Sequence, residues 1–259
     1  MDCNSQLTIS ATPGEWLQGV PLRAALTCVN YGDILAYTLP RNRHYFAEVL
    51  VVTTTADTET QRIARDTDCQ LHVTEAFHRR PSGFFKWAAL EEGLDNFGRH
   101  GWMALLDADV VWPASLPPVP LERGRLYGPG RRVMADLGSL ATVGVPPEGE
   151  WPQFPLWGRD RGRYRGWAGY TQIFHAADRR CEKLPWHETY WDSAGRADHL
   201  FQLRWPGGYK VRLPWEVLHL GPVEKNWRGR VTPRVGGTAD TSAIGLGKLS
   251  AVESAVGQA

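Results

Sequence analysis

No single charge sign, redox chemistry or long apolar run dominates this chain, and each of these absences removes a class of function. Lys and Arg number 29 against 28 Asp and Glu, a formal net charge of +1. No global field therefore draws the chain to nucleic acid or an anionic membrane, and any polyanion site has to be local. Cysteine is scarce: Cys3, Cys28, Cys69 and Cys181 are scattered, with no CxxC pair and no small-scaffold spacing. That excludes a zinc ribbon and a disulfide framework, and fits a reducing compartment. No apolar run approaches the ~20 residues that cross a bilayer, and the opening MDCNSQLTISATPG has neither a basic n-region nor an apolar h-region. The expectation is a soluble, cytoplasmic protein with no membrane partner. Tryptophan, in contrast, is plentiful, 12 in 259 residues. Such rings serve both cores and stacking surfaces for sugars or bases.

The first part of the chain alternates strand-like and helix-like segments. Arg23 to Asn30 (RAALTCVN) is a short apolar run ending at the turn-prone YGD, which reads as a strand and loop. Tyr31 to Tyr45 reads as helix before Pro40 and irregular after it. Ala47 to Thr53 (AEVLVVT) is nearly continuously apolar, as in a strand covered on both faces, and a helix over Thr58 to Arg65 follows. Cys69 to Thr74 supplies a third strand. Phe84, Trp87, Leu90, Leu94 and Phe97 then recur at helical spacing, and Trp102 to Leu106 forms a fourth strand running directly into Asp107, Ala108 and Asp109. This rhythm predicts an α/β fold with a mostly parallel central sheet flanked by helices.

Beyond Pro113 the pattern loosens. A proline-rich connection leads to GRLYGPG, read as strand and turn. Residues 151–169 (WPQFPLWGRDRGRYRGWAG) read as a long exposed loop. Strands are expected at Tyr170 to His175 and Tyr209 to Leu213, around a helical stretch near Asp192 to Arg204. Residues 1–235 are expected to form one domain, with a nucleotide-sugar half over about 22–112 and a smaller acceptor-side β/loop region over 113–235. Residues 236–259, poor in large side chains, are expected to be a flexible tail.

Alternate side chains of a strand share a face, so Asp107 and Asp109 are expected to point the same way at the carboxyl end of the fourth strand, the edge where open parallel sheets bind ligands. Oxygen ligands of this kind hold Mg²⁺ or Mn²⁺ against a diphosphate. The competing reading is that one or both carboxylates cap the turn that leaves the strand. Downstream, in LPWEVLHLGPVEKNWRGR, His219 precedes Lys225, Trp227, Arg228 and Arg230. An imidazole can complete a carboxylate metal site, and Lys and Arg can clamp phosphate oxygens. A satisfied core histidine beside a solvated basic turn is the alternative.

These segments together resemble the GT-A glycosyltransferase superfamily over roughly Leu22 to Arg230. The matching features are LTCVNYGD, VLVVT with TTADTET, FFKWAALEEGL, MALLDADVVWP and VLHLGPVEKNW. The last is similar to the H-x-x-G-x-x-K-P-W element of the glycogenin-like retaining branch, although the glycine falls one place early at Gly221 and Asn226 stands where proline is expected. The resemblance implies a nucleotide-sugar donor, best matched by a UDP-sugar, with Mn²⁺ or Mg²⁺. It implies Asp107, Asp109 and His219 as metal ligands, Lys225 as the diphosphate contact, and Asp107 and Trp227 among the residues that bind the donor. Val29, Asn30, Tyr31 and Asp57 are similar to places that hold base and ribose, and Lys86 looks like the basic residue directed toward the donor. For Lys86 a solvated helix surface stays open, and for Asp57 a helix cap.

On the acceptor side, Asp198 in RADHLFQLRWP is the candidate catalytic base or sugar-orienting carboxylate, with Asp192 second. Arginine stands at 159, 161, 163 and 165, interleaved with Tyr164 and flanked by Trp157 and Trp167, and Arg79 and Arg80 can extend that patch. Arginine with aromatics can grip phosphates and stack a flipped base. In size and lack of targeting the chain also resembles phage DNA-modifying glycosyltransferases. The specific expectation is therefore transfer to a hydroxymethylated pyrimidine in DNA, in the cytoplasm of a host cell if the protein is phage-encoded. A surface glycan or small molecule is the alternative acceptor. Two readings from other classes are a nucleotidyltransferase, which VNYGD with its single glycine disfavours, and a non-catalytic nucleic-acid-binding module.

Overall fold

In the computed structural model, which describes residues 19–79, 84–156, 169–187, 194–223, 225–226 and 229–236, the expected alternation is present. In chain order the elements are β1 (Leu22–Thr27), α1 (Gly32–Asn42), β2 (Glu48–Thr53), α2 (Thr58–Asp66), β3 (Gln70–Val73), α3 (Lys86–Phe97), β4 (Trp102–Asp107), β5 (Val110–Val111), β6 (Leu126–Met134), α4 (Leu137–Val143), β7 (Thr171–His175), α5 (Ala194–Gln202) and β8 (Lys210–Leu220). The strands form one eight-stranded sheet in the order β3-β2-β1-β4-β7-β6-β8-β5. β7 runs antiparallel to β4 and β6, and β5 antiparallel to β8, while the remaining pairs are parallel. This is a mostly parallel α/β architecture, as the alternation in the sequence predicts. The carboxyl ends of β1, β2, β4, β6 and β8 consequently open on one edge. Strands from the second half of the chain complete the same sheet.

Apolar side chains cover both faces. Ala24, Leu26, Ala104 and Leu106 pack against Leu35 and Leu39 of α1 and Ile63 of α2. Their neighbours Ala25, Met103 and Leu105 pack against Trp87, Leu90 and Leu94 of α3 and Phe201 of α5. Alternation along buried strands thus builds two cores. Trp87, Trp102, Trp112, Trp151, Trp186, Trp205 and Trp215, every described tryptophan, are buried, so these rings serve the cores. No helix among the described residues is long and apolar enough to cross a membrane.

Three elements depart from expectation for tertiary reasons. α1 does not stop at Pro40 but continues to Asn42. Pro40 costs the helix one backbone hydrogen bond, and the two buried polar residues that hold α1 in place straddle it. Thr38 donates to the Ala108 carbonyl at 2.6 Å, and Asn42 donates to the Val110 carbonyl at 2.8 Å while accepting from the Trp112 amide at 2.9 Å. Next, GRLYGPG is not a strand ending in a turn. It opens the nine-residue β6, whose irregularity between Gly128 and Gly130 is absorbed as a bulge against β8. Finally, β8 extends past Leu213 to Leu220 because β6 pairs with it along its length, which carries His219 to the open edge. Asp192, Trp157, Arg80, Trp227, Arg228, the arginine series 159–165 and most of the supposed tail lie outside the described residues.

Candidate active site

Asp107 is the last residue of β4, with its amide bonded to the Tyr170 carbonyl at 3.1 Å. Asp109 does not continue that strand: residues 108 and 109 form a turn into β5. The shared-face argument from strand alternation therefore gives way to a different cause. Thr38 and Asn42 hold the backbone on either side of Asp109, and the Asp109 carbonyl accepts the Leu220 amide at 2.8 Å. Helix α1 and strand β8 jointly fix the acidic turn.

His219 pairs with Val110 across β5–β8, which sets its ring beside that turn. Its Nδ1 lies 3.0 Å from the Gly221 carbonyl, and its Nε2 lies 3.4 Å from Asp109 Oδ2. A carbonyl only accepts, so Nδ1 carries the hydrogen and the neutral ring turns its Nε2 lone pair toward a carboxylate oxygen. Two acceptors face each other there unless a proton or a cation stands between them. Burial lowers the His219 pKa although Asp109 opposes it, so a second ring proton is disfavoured. Asp109 Oδ1 is buried with no hydrogen-bond partner, and burial raises its carboxyl, only partly offset by His219.

Lys86 contradicts the solvated-surface reading. It opens α3 and is 8% exposed, with Nζ 2.7 Å from Asp107 Oδ1 and 3.9 Å from Asp198 Oδ1. A cation in the first turn opposes the helix dipole, so the carboxylates rather than the helix account for its place. Burial alone would lower the Lys86 pKa; Asp107 and Asp198 overcome this and raise it. Burial likewise pushes Asp107 up, but the charge and hydrogen bond of Lys86 win and hold it below its ordinary value.

Asp198 lies within α5 and not at its start, so it does not cap that helix. Its carboxyl is pushed up to about 7 by burial, countered by Lys86 and reinforced by Asp107, and Oδ1 has no hydrogen bond. What lets it sit there is Gly169. A Cβ on Gly169 would lie 2.0–2.2 Å from the Asp198 carboxylate atoms. Gly169→Ala is therefore expected to displace Asp198. Since about 1 Å of misplacement can cost on the order of 100-fold in rate, turnover should fall steeply while UDP binding measured by calorimetry persists. Unchanged turnover would mean the Asp198 position does not matter.

Sequence reasoning missed Arg131. It is 8% exposed on β6, its guanidinium 4.3 Å from the centre of the Tyr170 ring, and its charge acts on Asp107, Asp109, Asp198 and His219. An arginine inside a strand covered on both sides was the available signal, hidden by ending that strand at GPG.

The expected nucleotide residues fall at the same edge but not all offer free groups. Val29 is half-buried, Asn30 is exposed with φ of 59°, and Tyr31 is half-buried at the entry to α1. Asp57 is fully engaged. Oδ1 accepts the Thr60 amide at 3.1 Å as the cap of α2, and Oδ2 accepts the Asn30 amide at 2.7 Å and the Thr53 hydroxyl at 3.3 Å. It shapes the loop after β1, as the capping alternative has it. Lys225 is exposed on the segment after β8. Arg230, expected as a phosphate clamp, is instead paired with Asp33. Arg79 pairs with Glu92 at 2.6 Å.

Among the described residues no three His, Cys, Asp or Glu side chains enclose a point as a complete metal cage. Asp109 and His219 are the converging pair, while Asp107 is turned toward Lys86. A pair of donors suits a hard divalent ion that takes its other ligands from phosphate oxygens and water, the usual arrangement for Mg²⁺. The orphaned Asp109 oxygen and the facing imidazole lone pair fit such an ion.

The sequence matches no known protein family and no curated protein. Solved structures that it does match include glucosyl-3-phosphoglycerate synthase from Mycobacterium tuberculosis in complex with phosphoglyceric acid, at 13% identity and a TM-score of 0.47, covering 87% of this chain and 78% of that one. The same enzyme in complex with Mn²⁺, uridine diphosphate and glucosyl-3-phosphoglycerate matches at 14% identity and a TM-score of 0.48, covering 84% and 77%.

Proposed function

We propose that the protein is a metal-dependent glycosyltransferase that moves a sugar from a nucleoside diphosphate sugar, best matched by a UDP-sugar, to an acceptor hydroxyl. The observation that carries this reading is the pair of facing acceptors, Asp109 Oδ2 and His219 Nε2 at 3.4 Å, next to a buried Lys86–Asp107–Asp198 cluster at the carboxyl edge of a parallel sheet. A divalent ion bound there would neutralise charge building on the departing diphosphate. Within the chain, Gly221 fixes the His219 tautomer through Nδ1. Lys86 keeps Asp107 ionised, and Arg131 adds a second permanent cation to a cluster of three carboxylates. Asp198, with a carboxyl poised near neutrality and an oxygen free of hydrogen bonds, is placed to take the acceptor proton or to orient a sugar hydroxyl. The arginine series expected to meet a DNA base, residues 159–165, lies outside the described residues.

Incubation with a panel of UDP-sugars, with Mn²⁺ or with EDTA, tests the proposal. UDP release, slow by hydrolysis and faster with an acceptor, is expected only with metal. No binding and no release across the panel would reject it.

Asp198→Asn should lower kcat on the order of 10²–10⁴-fold, the usual contribution of a positioned acid or base, with Mn²⁺-dependent UDP binding retained. The same variant carries a pH signature. The folded Asp198 carboxyl lies above its unfolded value, so the folded state holds that proton longer. Its contribution to stability is complete below the ordinary aspartate value of 3.8 and is lost as pH rises to about 7. The slope is at most about 1.4 kcal/mol per pH unit. Chemical denaturation across this window should show a shallower fall in Asp198→Asn than in the parent. Equal slopes would mean that Asp198 is not held protonated.

A further inference from the structure

The chain returns after β8 to the loop that follows β1, and Arg230 makes most of the contacts at the junction. Arg230 donates from Nε to the Thr232 carbonyl at 3.0 Å, from Nη1 to the Asn30 carbonyl at 2.7 Å and to Asp33 Oδ1, and from Nη2 to Asp33 Oδ2 at 2.8 Å and the Pro233 carbonyl at 2.5 Å. All the donor directions of its planar fork are engaged. The side chains of the pair are 7% and 9% exposed, and the guanidinium lies 4.7 Å from the centre of the Tyr31 ring. Two further contacts fix the same segment: the Val235 amide donates to Asp33 Oδ2 at 2.7 Å, and Arg234 pairs with Glu59 of α2. Asn226 closes the segment on itself, its Oδ1 accepting the Val231 amide at 2.8 Å and its Nδ2 donating to Thr232 Oγ1 at 3.1 Å.

A loosely held chain end does not desolvate a forked ion pair without need, because removing both charges from water is costly. The contacts of Arg230 show what the pair acts on. Asn30 stands in the left-handed region, at φ of 59°, and its peptide groups are gripped from both sides: Asp57 takes its amide at 2.7 Å and Arg230 its carbonyl. The next residue, Tyr31, lies beneath the guanidinium and feels the negative charge of Asp109. The loop over 29–33 therefore connects the carboxyl end of β1 to the surroundings of the acidic turn, and Arg230 helps set its shape.

We infer that Arg230 is a positioning residue of the donor site, clasping the segment after β8 onto the 29–33 loop through Asp33 so that Asn30 and Tyr31 are preset to receive the nucleoside. The inference rests on the donor-site reading above. It predicts that preorganisation of the loop is lost when the fork is lost, even if positive charge remains, because an ammonium cannot span Asp33 and the Asn30 carbonyl together.

The test compares Arg230→Lys, Arg230→Gln and Asp33→Asn with the parent, through steady-state kinetics on a UDP-sugar with Mn²⁺ and hydrogen exchange of the ligand-free protein. KM for the UDP-sugar should rise tenfold or more in each variant, well beyond any fall in kcat, with lysine failing to rescue. Amides of residues 29–35 should exchange faster in all three, while those of β4 stay protected. A double variant of Asp33 and Arg230 should lose no more than the worse single one. A KM unchanged while only the melting temperature drops would overturn the inference, as would rescue by lysine. If the parent binds and turns over no UDP-sugar, the glycosyltransferase reading fails by itself. The exchange arm then decides the clasp alone: unchanged protection of 29–35 overturns it.

Discussion

Replacing Asp109 with asparagine is expected to suppress metal-dependent UDP release and stabilise the ligand-free protein at once. Both effects have one cause. In the folded chain Asp109 presents a buried oxygen with no partner and a second oxygen facing the Nε2 lone pair of His219 at 3.4 Å. Those are favourable only toward a cation; without one they are unmet acceptors in a site that burial already makes hostile to the charged carboxylate. An amide of the same shape removes the charge and can donate its NH₂ to His219. Ligand-free stability should rise by about 1 kcal/mol, the net worth of an added hydrogen bond. Loss of the anionic ligand should lower metal-dependent UDP release on the order of 10²–10³-fold, the scale on which removing one charge-stabilising group acts. Thermal melts without metal, Mn²⁺ titration by electron paramagnetic resonance and UDP release check the three parts. An Asp109→Asn protein that still binds Mn²⁺ and releases UDP at the parent rate would remove the ground for placing the ion there. A fall in melting temperature would show that the carboxylate serves the fold.

The acidic pair was legible because a fully apolar run, Trp102 to Leu106, leads straight into it, and such runs are what parallel strands covered on both faces look like. Its geometry was not legible. Asp109 faces the site because Thr38 and Asn42, some seventy residues earlier, hold the turn's backbone, and no local pattern encodes a buried threonine bonding a distant carbonyl. The same long-range bonds carried α1 through Pro40, where local propensity ends helices. Gly169 and Asp198 illustrate a related limit: a glycine in a loop is common, and only packing shows that its missing side chain is the space a carboxylate fills. Charge patterning erred in a third way. A basic cluster after His219 reads as a phosphate clamp, yet the preference of Arg230 went to Asp33, at a separation of 197 residues. Residue type forecasts the chemistry available; long-range pairing decides which groups remain free to use it.

Lys86→Met is expected to have the largest effect on the fold. The stem of Lys86 is buried, its Nζ lies 4.6 Å from the centre of the Trp87 ring, and methionine matches the length and apolar character of that stem. Packing loss is thereby kept small, and what remains is electrostatic. Asp107 loses its 2.7 Å partner, and Asp198 loses the cation 3.9 Å away. Taking one member from a buried pair leaves an uncompensated charge and costs about 3–5 kcal/mol. Arg131 acts on both carboxylates and offsets part of this, so the lower end of that range applies. The two carboxyls then relieve the strain by taking up protons, which gives the variant a pH dependence opposite to that of an ordinary salt bridge. In the parent, Lys86 holds the Asp107 carboxyl below its ordinary value, so its contribution is present above that value and lost on acidification. In Lys86→Met burial acts on Asp107 without that opposition, its folded pKa rises, and stability is lost as pH rises instead. Urea titrations of the two proteins between pH 5 and 8 should therefore separate most widely at the alkaline end, at roughly 3 kcal/mol. A constant difference across that range would show that the lysine acts through packing and not through its charge. Restoring the charge with arginine at 86 should recover the alkaline stability only in part, because the larger fork does not fit a site that leaves lysine 8% exposed.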